Sequence, residues 1–369
     1  LRFLGRVHVL EAAYTIMSKI NLALIFGGRS TEHEISKLSV ESVLREIDHS
    51  KYEITLIFID INGKWFQVDD LALTNKKGIS LIPTADGANM IDWSNGSILT
   101  KLDIAFPVLH GLFGEDGTIQ GFFKMVNLAF VGCGVLASSA CMDKDMTKRV
   151  LRDAGIAVTP YAVATAENKP SYSELAQELS TTLFIKPANL GSSVGIFKVT
   201  NEEEYNEKLE EALTYDLKVL IEQFIPGKEI ECAVLGNETP KASVPGEVTM
   251  NTDFFDFESK YVDKDASGCL IPADESEEIL EEIRRQAIVA FKAMGCEGLS
   301  RIDFFVTKDK EILLNEINTI PGFTEISMYP KMWAKTGIPY AELLDLLITF
   351  GLDRYQKEKS LKITAQKVD

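Results

Sequence analysis

The chain has 369 residues, of which 46% are hydrophobic and 25% charged, the balance of a soluble globular protein with length for two or three domains. Its 38 basic and 55 acidic residues leave a net charge of −17. That argues against nucleic acid or an anionic membrane as the main partner, while leaving room for a local basic nucleotide pocket. Five cysteines (Cys133, Cys141, Cys232, Cys269 and Cys296) are widely spaced in apolar stretches without a CxxC pair, and there are four histidines. Neither structural zinc nor a disulfide framework is expected, and a reducing cytoplasm is the expected location. No apolar run is long enough to span a membrane.

The first sixteen residues, LRFLGRVHVLEAAYTI, are too broken by Arg6, His8 and Glu11 for a signal peptide, and Met17 reads as the natural start. A genuine N-terminal helix is the alternative. "INLALIFGG" reads as a buried parallel strand running into a Gly-Gly turn. "EHEISKLSVESVLREI" has helical spacing, "YEITLIFID" is a second strand and "LDIAFPVLHG" a third. This alternation predicts an α/β domain over residues 18–137, with its ligand at the carboxyl ends of the strands. "CMDKDMTKRVLRDAG" predicts one helix stopping at Gly155, which opens a smaller α/β unit over 138–222. In the third region, 223–357, "IECAVLGN" is a strand and Thr249–Gly268 a polar, turn-rich loop. "ESEEILEEIRRQAIVAFKAMGC" is an amphipathic helix there, and "LSRIDFFVTKDKEILLNEIN" a hairpin turning at Lys308–Lys310.

Three stretches carry chemistry. "FIKPANLGSSVGIFKV" places a small-residue loop, Gly191–Gly195, between two strand-like segments, with Lys186 five residues before it. It lacks the spacing of a P-loop and has no helix after it. It fits a flap whose backbone N–H groups and serines cover phosphate, and equally a tight surface hairpin. In "RIDFF…LLNEIN", Asp303, Glu316 and Asn318 are oxygen donors on neighbouring strands, and Arg301 shares the face of Asp303. Hard oxygen donors without His or Cys suit Mg²⁺, and a fixed cation beside them stabilises charge forming on a reacting oxygen. A solvated charged sheet face is the alternative. "VLIEQFIPGKE" fits a hinge holding adenine between Phe224 and Ile225, with Glu222 and Glu229 on the amine and ribose, or an ordinary strand and turn.

Flap, hinge and metal set follow one another in the order found in ATP-grasp enzymes. "GGRSTEHEIS", "HGLFGEDGTIQG", "MDKDMTK", "IKPANLGSSVG", "SRIDFF" and "NEINTIPGFTEISMYP" together resemble the D-alanine–D-alanine ligase family from Ile20 to about Leu352. The resemblance implies an α/β chain with the ATP-grasp fold. Its three domains would be a Rossmann-like N-terminal one, a central α/β lid and a C-terminal α+β catalytic one. ATP would phosphorylate the carboxylate of one D-alanine, and the amine of a second would attack. Two Mg²⁺ ions, or Mn²⁺ in their place, and lysines would offset the phosphate charge.

By the same resemblance, Lys144 and Lys186 contact ATP phosphates, with Ser193 covering them. Glu222, Phe224, Ile225 and Glu229 hold adenosine, and Asp303, Glu316 and Asn318 hold Mg²⁺. Glu32 pairs with the first substrate's ammonium, near His110. Arg301 and the backbone of Gly322 stabilise the tetrahedral oxyanion, while Ser327 and Met328 hold the second carboxylate. In "FFDFESKYVD", Lys260 reaches the transferred phosphate, and Tyr261 forms a triad with Ser192 and Glu32. Family members usually carry tyrosines where this chain has Phe255 and Phe257. Tyr261 is the residue that makers of D-alanyl-D-lactate lack, so a dipeptide product is expected. D-Serine is the harder alternative to exclude, since an apolar pocket rejects an added hydroxyl poorly. A different ATP-grasp carboxylate–amine ligase, against which "STEHEIS" and "FTEISMYP" argue, and a non-catalytic protein on the same fold are the remaining alternatives. A cytoplasmic homodimer with D-alanine and ATP as small-molecule partners completes the expectation.

Overall fold

The computed structural model describes residues 19–250 and 267–362. Met17, Phe255, Phe257, Lys260 and Tyr261 lie outside the described residues.

β1 (Ile20–Gly27) is buried on both faces, and Leu22 through Phe26 are inaccessible to solvent. That is the burial a strand needs when helices cover both sides of a parallel sheet. α1 (His33–Glu46) carries the chain to β2 (Tyr52–Ile59), which lies parallel to β1. Four strands that the sequence reading did not resolve come next: β3 (Trp65–Val68), β4 (Lys77–Thr84), β5 (Gly87–Asp92) and β6 (Ile98–Leu102). They extend the sheet in antiparallel fashion on the far side of β2. Their short, half-exposed, polar sequences carry little periodicity, and only the tight Ala85-Asp86 turn between β4 and β5 announces a hairpin. The strand expected third is therefore the seventh, β7 (Ile104–Val108), parallel to β1 on its other side. After α2 (Thr118–Met125), β8 (Ala129–Phe130) closes the sheet, whose order is β6-β5-β4-β3-β2-β1-β7-β8.

The helix expected to run through "CMDKDMTK" is two helices, α3 (Val135–Met142) and α4 (Lys144–Asp153). Asp143 separates them in an extended conformation, and its carboxylate caps α4 by accepting from the Asp145 and Met146 N–H groups. An aspartate is worth more as an N-cap than inside a helix, so the break falls there. The next sheet takes β9 (Tyr161–Thr165), β10 (Leu183–Pro187), β11 (Phe197–Val199) and β12 (Lys218–Gln223) in the order β11-β10-β12-β9. α5 (Tyr172–Glu178) and α6 (Glu202–Ala212) pack on it.

The third sheet is built from β13 (Gly227–Gly236), β14 (Lys241–Ala242), β15 (Gly246–Met250), β16 (Ser267–Leu270), β17 (Gly298–Thr307) and β18 (Ile312–Asn318). α7 (Glu277–Ala293) covers it with Ile283, Ala287, Ala290 and Phe291. α8 (Met328–Thr336) and α9 (Tyr340–Lys359) then return to the first sheet. Leu343, Leu344, Leu347 and Ile348 of α9 share one core cluster with Leu22, Leu24, Ile104 and Phe106. Arg354, itself buried, donates to the carbonyls of Phe130 and Gly132. The expected boundaries at 137/138 and 222/223 fall inside α3 and β12. Cys133, Cys141, Cys232 and Cys296 are buried as expected, but Cys269 is exposed, since its short edge strand leaves that face uncovered.

Candidate active site

Two hollows meet where the three sheets converge. The smaller, about 80 Å³, is lined by Glu32, His110, Glu115, Lys144, Ser192, Arg301 and Gly322 among others. The larger, about 530 Å³, runs from Lys144 and Ser193 past Lys186 and Glu222 to Phe224, Ile225 and Glu229. Lys144, Ser192, Arg301 and Glu316 belong to both. A single small amino acid and a nucleotide would thus touch along that shared wall.

The small pocket is built from strand ends. Glu32 stands directly before α1 but makes no side-chain cap. Its carboxylate instead accepts the Ser192 hydroxyl from the β10–β11 loop. Ser192 and Ser193 sit in left-handed backbone, at φ 51° and 60°, a costly conformation for residues with a Cβ and one that clusters at functional loops. His110, at the end of β7, meets the Ile320 carbonyl through Nδ1 and the Ser39 hydroxyl through Nε2. A carbonyl only accepts, so Nδ1 carries the proton and Nε2 accepts from Ser39. Burial lowers the His110 pKa, which keeps the ring neutral.

Glu115 was not singled out from the sequence. Its two oxygens accept the Gly111 N–H at 3.0 Å and the Ile320 N–H at 2.9 Å, so it joins the loop after β7 to the loop after β18. Burial, with the Glu32 charge nearby, pushes its pKa up to about 8.

In the larger cleft, the antiparallel register sets Phe184 opposite Glu222, and Lys186 follows two residues on, on the same face. Lys186 Nζ lies 2.6 Å from one Glu222 oxygen, and Lys148 Nζ lies 3.1 Å from the other. Despite the burial of Glu222, these two lysines draw its pKa down to about 2. Lys148 also escaped the sequence reading. Its signal was the i, i+4 spacing from Lys144 on α4, which puts both side chains on one face of the helix. Lys144 Nζ donates to the Leu190 carbonyl at 2.5 Å and stands 4.0 Å from Glu316, and burial lowers its pKa. The Phe184 and Phe224 rings lie 5.8 Å apart, giving the far end of the cleft an aromatic lining.

Asp303 faces Glu316 across the β17–β18 ladder, and Arg301 faces Asn318. Arg301 grips both oxygens of Asp303, at 2.8 and 2.7 Å, and lies 3.1 Å from Glu231. The Asn318 amide donates to Asp303 at 2.9 Å. Asp303 lines the larger hollow, Asn318 the smaller and Glu316 both, and two carboxylates and an amide on adjacent strands match the partial oxygen shell that Mg²⁺ takes from protein while phosphates and water supply the rest. Among the described residues no three His, Cys, Asp or Glu side chains form a closed metal cage. At the remaining end, Ser327 precedes α8, and a Cβ on Gly322 would come within 2.7 Å of its hydroxyl oxygen. The Ser327 oxygen also accepts the Thr324 N–H at 3.0 Å.

Comparison with known proteins decides the lineage. The sequence profile described as D-ala D-ala ligase N-terminus matches residues 21–133, and the one described as D-ala D-ala ligase C-terminus matches 150–349. The chain belongs to the D-alanine–D-alanine ligase family. The D-alanine–D-alanine ligase of Proteus mirabilis is 45% identical to it over 94% of this chain and 99% of that protein. Among solved structures, the D-alanine–D-alanine ligase of Coxiella burnetii superposes with a TM-score of 0.81 at 38% identity, covering 92% of this chain and 97% of that one. The VanG D-Ala:D-Ser ligase of Enterococcus faecalis gives 0.82 at 36% identity, covering 90% and 100%. The ATP complex of the Bacillus anthracis ligase gives 0.72 at 27% identity, covering 93% and 100%. The fold is thus the ATP-grasp fold of this ligase family. Of the residues expected to act, Glu32, His110, Ser192, Arg301 and Gly322 line the small pocket. Lys144, Lys186, Ser193, Glu222, Phe224, Ile225, Glu229, Asp303 and Glu316 line the larger one.

Proposed function

We propose that this chain joins two D-alanine molecules into D-alanyl-D-alanine using ATP, for cell-wall precursor synthesis. The observation that carries the reading is the shared wall: a pocket for one amino acid opens onto a nucleotide cleft at Lys144, Arg301 and Glu316. A carboxylate there can meet a γ-phosphate.

In this reading the ammonium of the first D-alanine pairs with Glu32, while neutral His110 adds no charge against it. The substrate carboxylate attacks the γ-phosphorus of ATP, and ADP leaves. Lys144 and Lys186 hold the phosphates, Glu222 positions Lys186, and the Ser192–Ser193 loop covers them. Phe224, Ile225 and Glu229 take the adenosine. Asp303, Glu316 and Asn318 would hold Mg²⁺, which offsets charge on the transferring phosphoryl group. The amine of the second D-alanine, its carboxylate at Ser327 and the start of α8, then attacks the acyl phosphate carbon. Arg301 and the Gly322 N–H stabilise the oxyanion, phosphate departs, and the amine gives up a proton. By the family resemblance, Lys260 would meet the transferred phosphate and Tyr261 would act with Ser192 and Glu32.

A D-alanine–D-serine ligase is the second reading, supported by the likeness to the VanG enzyme. Product analysis by mass spectrometry, with D-alanine, D-serine and D-lactate in competition, separates them. Predominant D-alanyl-D-alanine supports the main reading, and predominant D-alanyl-D-serine replaces it. A cytoplasmic homodimer is part of the proposal, and light scattering tests the dimer.

A further inference from the structure

A separate cavity of about 570 Å³ lies in the first sheet's antiparallel extension. It has the size of a small-molecule site. Trp65, Phe66, Leu81, Trp93, Phe113 and Phe122 stand in its wall, and among the described residues no aspartate or glutamate lines it. Its charged side chains are Arg29 and Lys64. Neither forms an ion pair among the described residues. Arg29 is held in place: its guanidinium stands 4.7 Å from the Phe113 ring centre. Its stem crosses Gly63 so closely that a Cβ there would come within 2.6 Å of it.

This chemistry excludes the ligands of the neighbouring site. D-Alanine needs an acid for its ammonium, and the cavity offers none. A triphosphate needs many donors, and the polar side chains besides the two cations are few, notably Ser80 and Thr118. Arg29 and Lys64 are both exposed, so water solvates them in the open cavity, and an acidic head can add a charge contact there that a wholly apolar guest cannot. We propose that the cavity binds a small aromatic organic anion, with its ring body between the tryptophans and its single acidic head on Arg29 and Lys64.

The location gives the site a consequence. Gly28 and His110 line this cavity, and His110 also lines the amino-acid pocket. An occupant presses on the loop that shapes the first-substrate site, so binding raises or lowers the KM for D-alanine. This coupling rests on the ligase reading, whereas binding itself does not, and the two are measured separately.

The test uses 8-anilinonaphthalene-1-sulfonate, an aromatic anion whose fluorescence rises in an apolar site, titrated into the full chain. Saturable binding is expected, with energy transfer from Trp65 and Trp93. An excess of ATP should leave the dye bound. S80W fills the cavity and should abolish binding, while R29Q should weaken it at least tenfold. Both variants should keep ADP release with D-alanine, which shows that they are folded. R29Q alters an exposed side chain and decides the matter if S80W fails to fold. Dye binding unchanged in R29Q, or displacement by ATP, overturns the proposal. So does dye that binds only after dilution to monomers, which would make the cavity part of a contact between copies. Dye binding with no effect on the KM for D-alanine keeps the site and removes the coupling.

Discussion

Ser192, in the loop between β10 and β11, donates its hydroxyl to the carboxylate of Glu32 across 160 residues of sequence. The bond ties the cover of the nucleotide cleft to the pocket for the amino acid. Flap position and substrate recognition therefore share one carboxylate. In S192A the flap loses this anchor, and a neutral-donor bond of roughly 1 kcal/mol predicts a five- to tenfold fall in kcat/KM for D-alanine. E32Q also removes the charge for the ammonium, and its fall should reach about a hundredfold, mostly through KM. Coupled assay of ADP release reads both. Equal effects in the two variants would show that the bond alone matters and the charge does not.

Arg301 holds Asp303 with two parallel hydrogen bonds, a geometry that lysine cannot copy. R301A should lower kcat by on the order of 10²–10³. R301K should recover only a small part of that loss. Because Arg301 is assigned to charge formed in the reaction, the Kd for ATP measured by calorimetry should stay near wild type. A large change in that Kd with little change in kcat would reassign Arg301 to nucleotide binding.

Glu222 lies between Lys148 and Lys186, and all three are largely buried. E222Q leaves two buried ammonium groups without their counter-charge. Loss of one member of a buried ionic cluster costs about 3–5 kcal/mol, so the thermal midpoint should drop clearly. Wild type also carries a pH signature. The folded-state pKa, about 2, lies below the ordinary 4.5. Glu222 thus stabilises the fold above pH 4.5, and that contribution is lost as pH falls from 4.5 towards 2. In E222Q this acid-range loss should shrink, as read by melting curves at stepped pH.

Glu115 shows the opposite sign. Its pKa is raised to about 8, so the folded protein holds a proton there that the unfolded chain releases near 4.5. The stabilisation is complete below pH 4.5 and is lost as pH rises through 8. E115Q keeps one oxygen to accept an N–H and cannot ionise. Its melting temperature should vary less than wild type's between pH 5 and 8. An identical slope in both proteins would place Glu115 ionised throughout.

Much of this site was legible because its parts are local. Asp303, Glu316 and Asn318 follow from alternation on a hairpin, and Lys186 from its spacing to the Gly-Ser loop. Glu115 was invisible for the opposite reason. Its partner, the Ile320 N–H, is 205 residues away, and no local pattern encodes that closure. Lys148 reads as a solvated helix lysine until β12 brings Glu222 beneath it. The strands from Trp65 to Leu102 were missed because each is short and half exposed, so pairing with neighbours, rather than periodicity, makes them strands.

The attachment of α9 to the first sheet has a consequence for synthesis. Strand β1 is made well before Leu343, Leu347 and Ile348, which complete its core, and before Arg354, which clasps the Phe130 and Gly132 carbonyls. At ribosomal rates of 5–20 residues per second, the nascent sheet waits roughly ten to forty seconds with an apolar face uncovered. The first sheet is therefore completed by a helix made long after its own strands, and removing α9 should expose that apolar face.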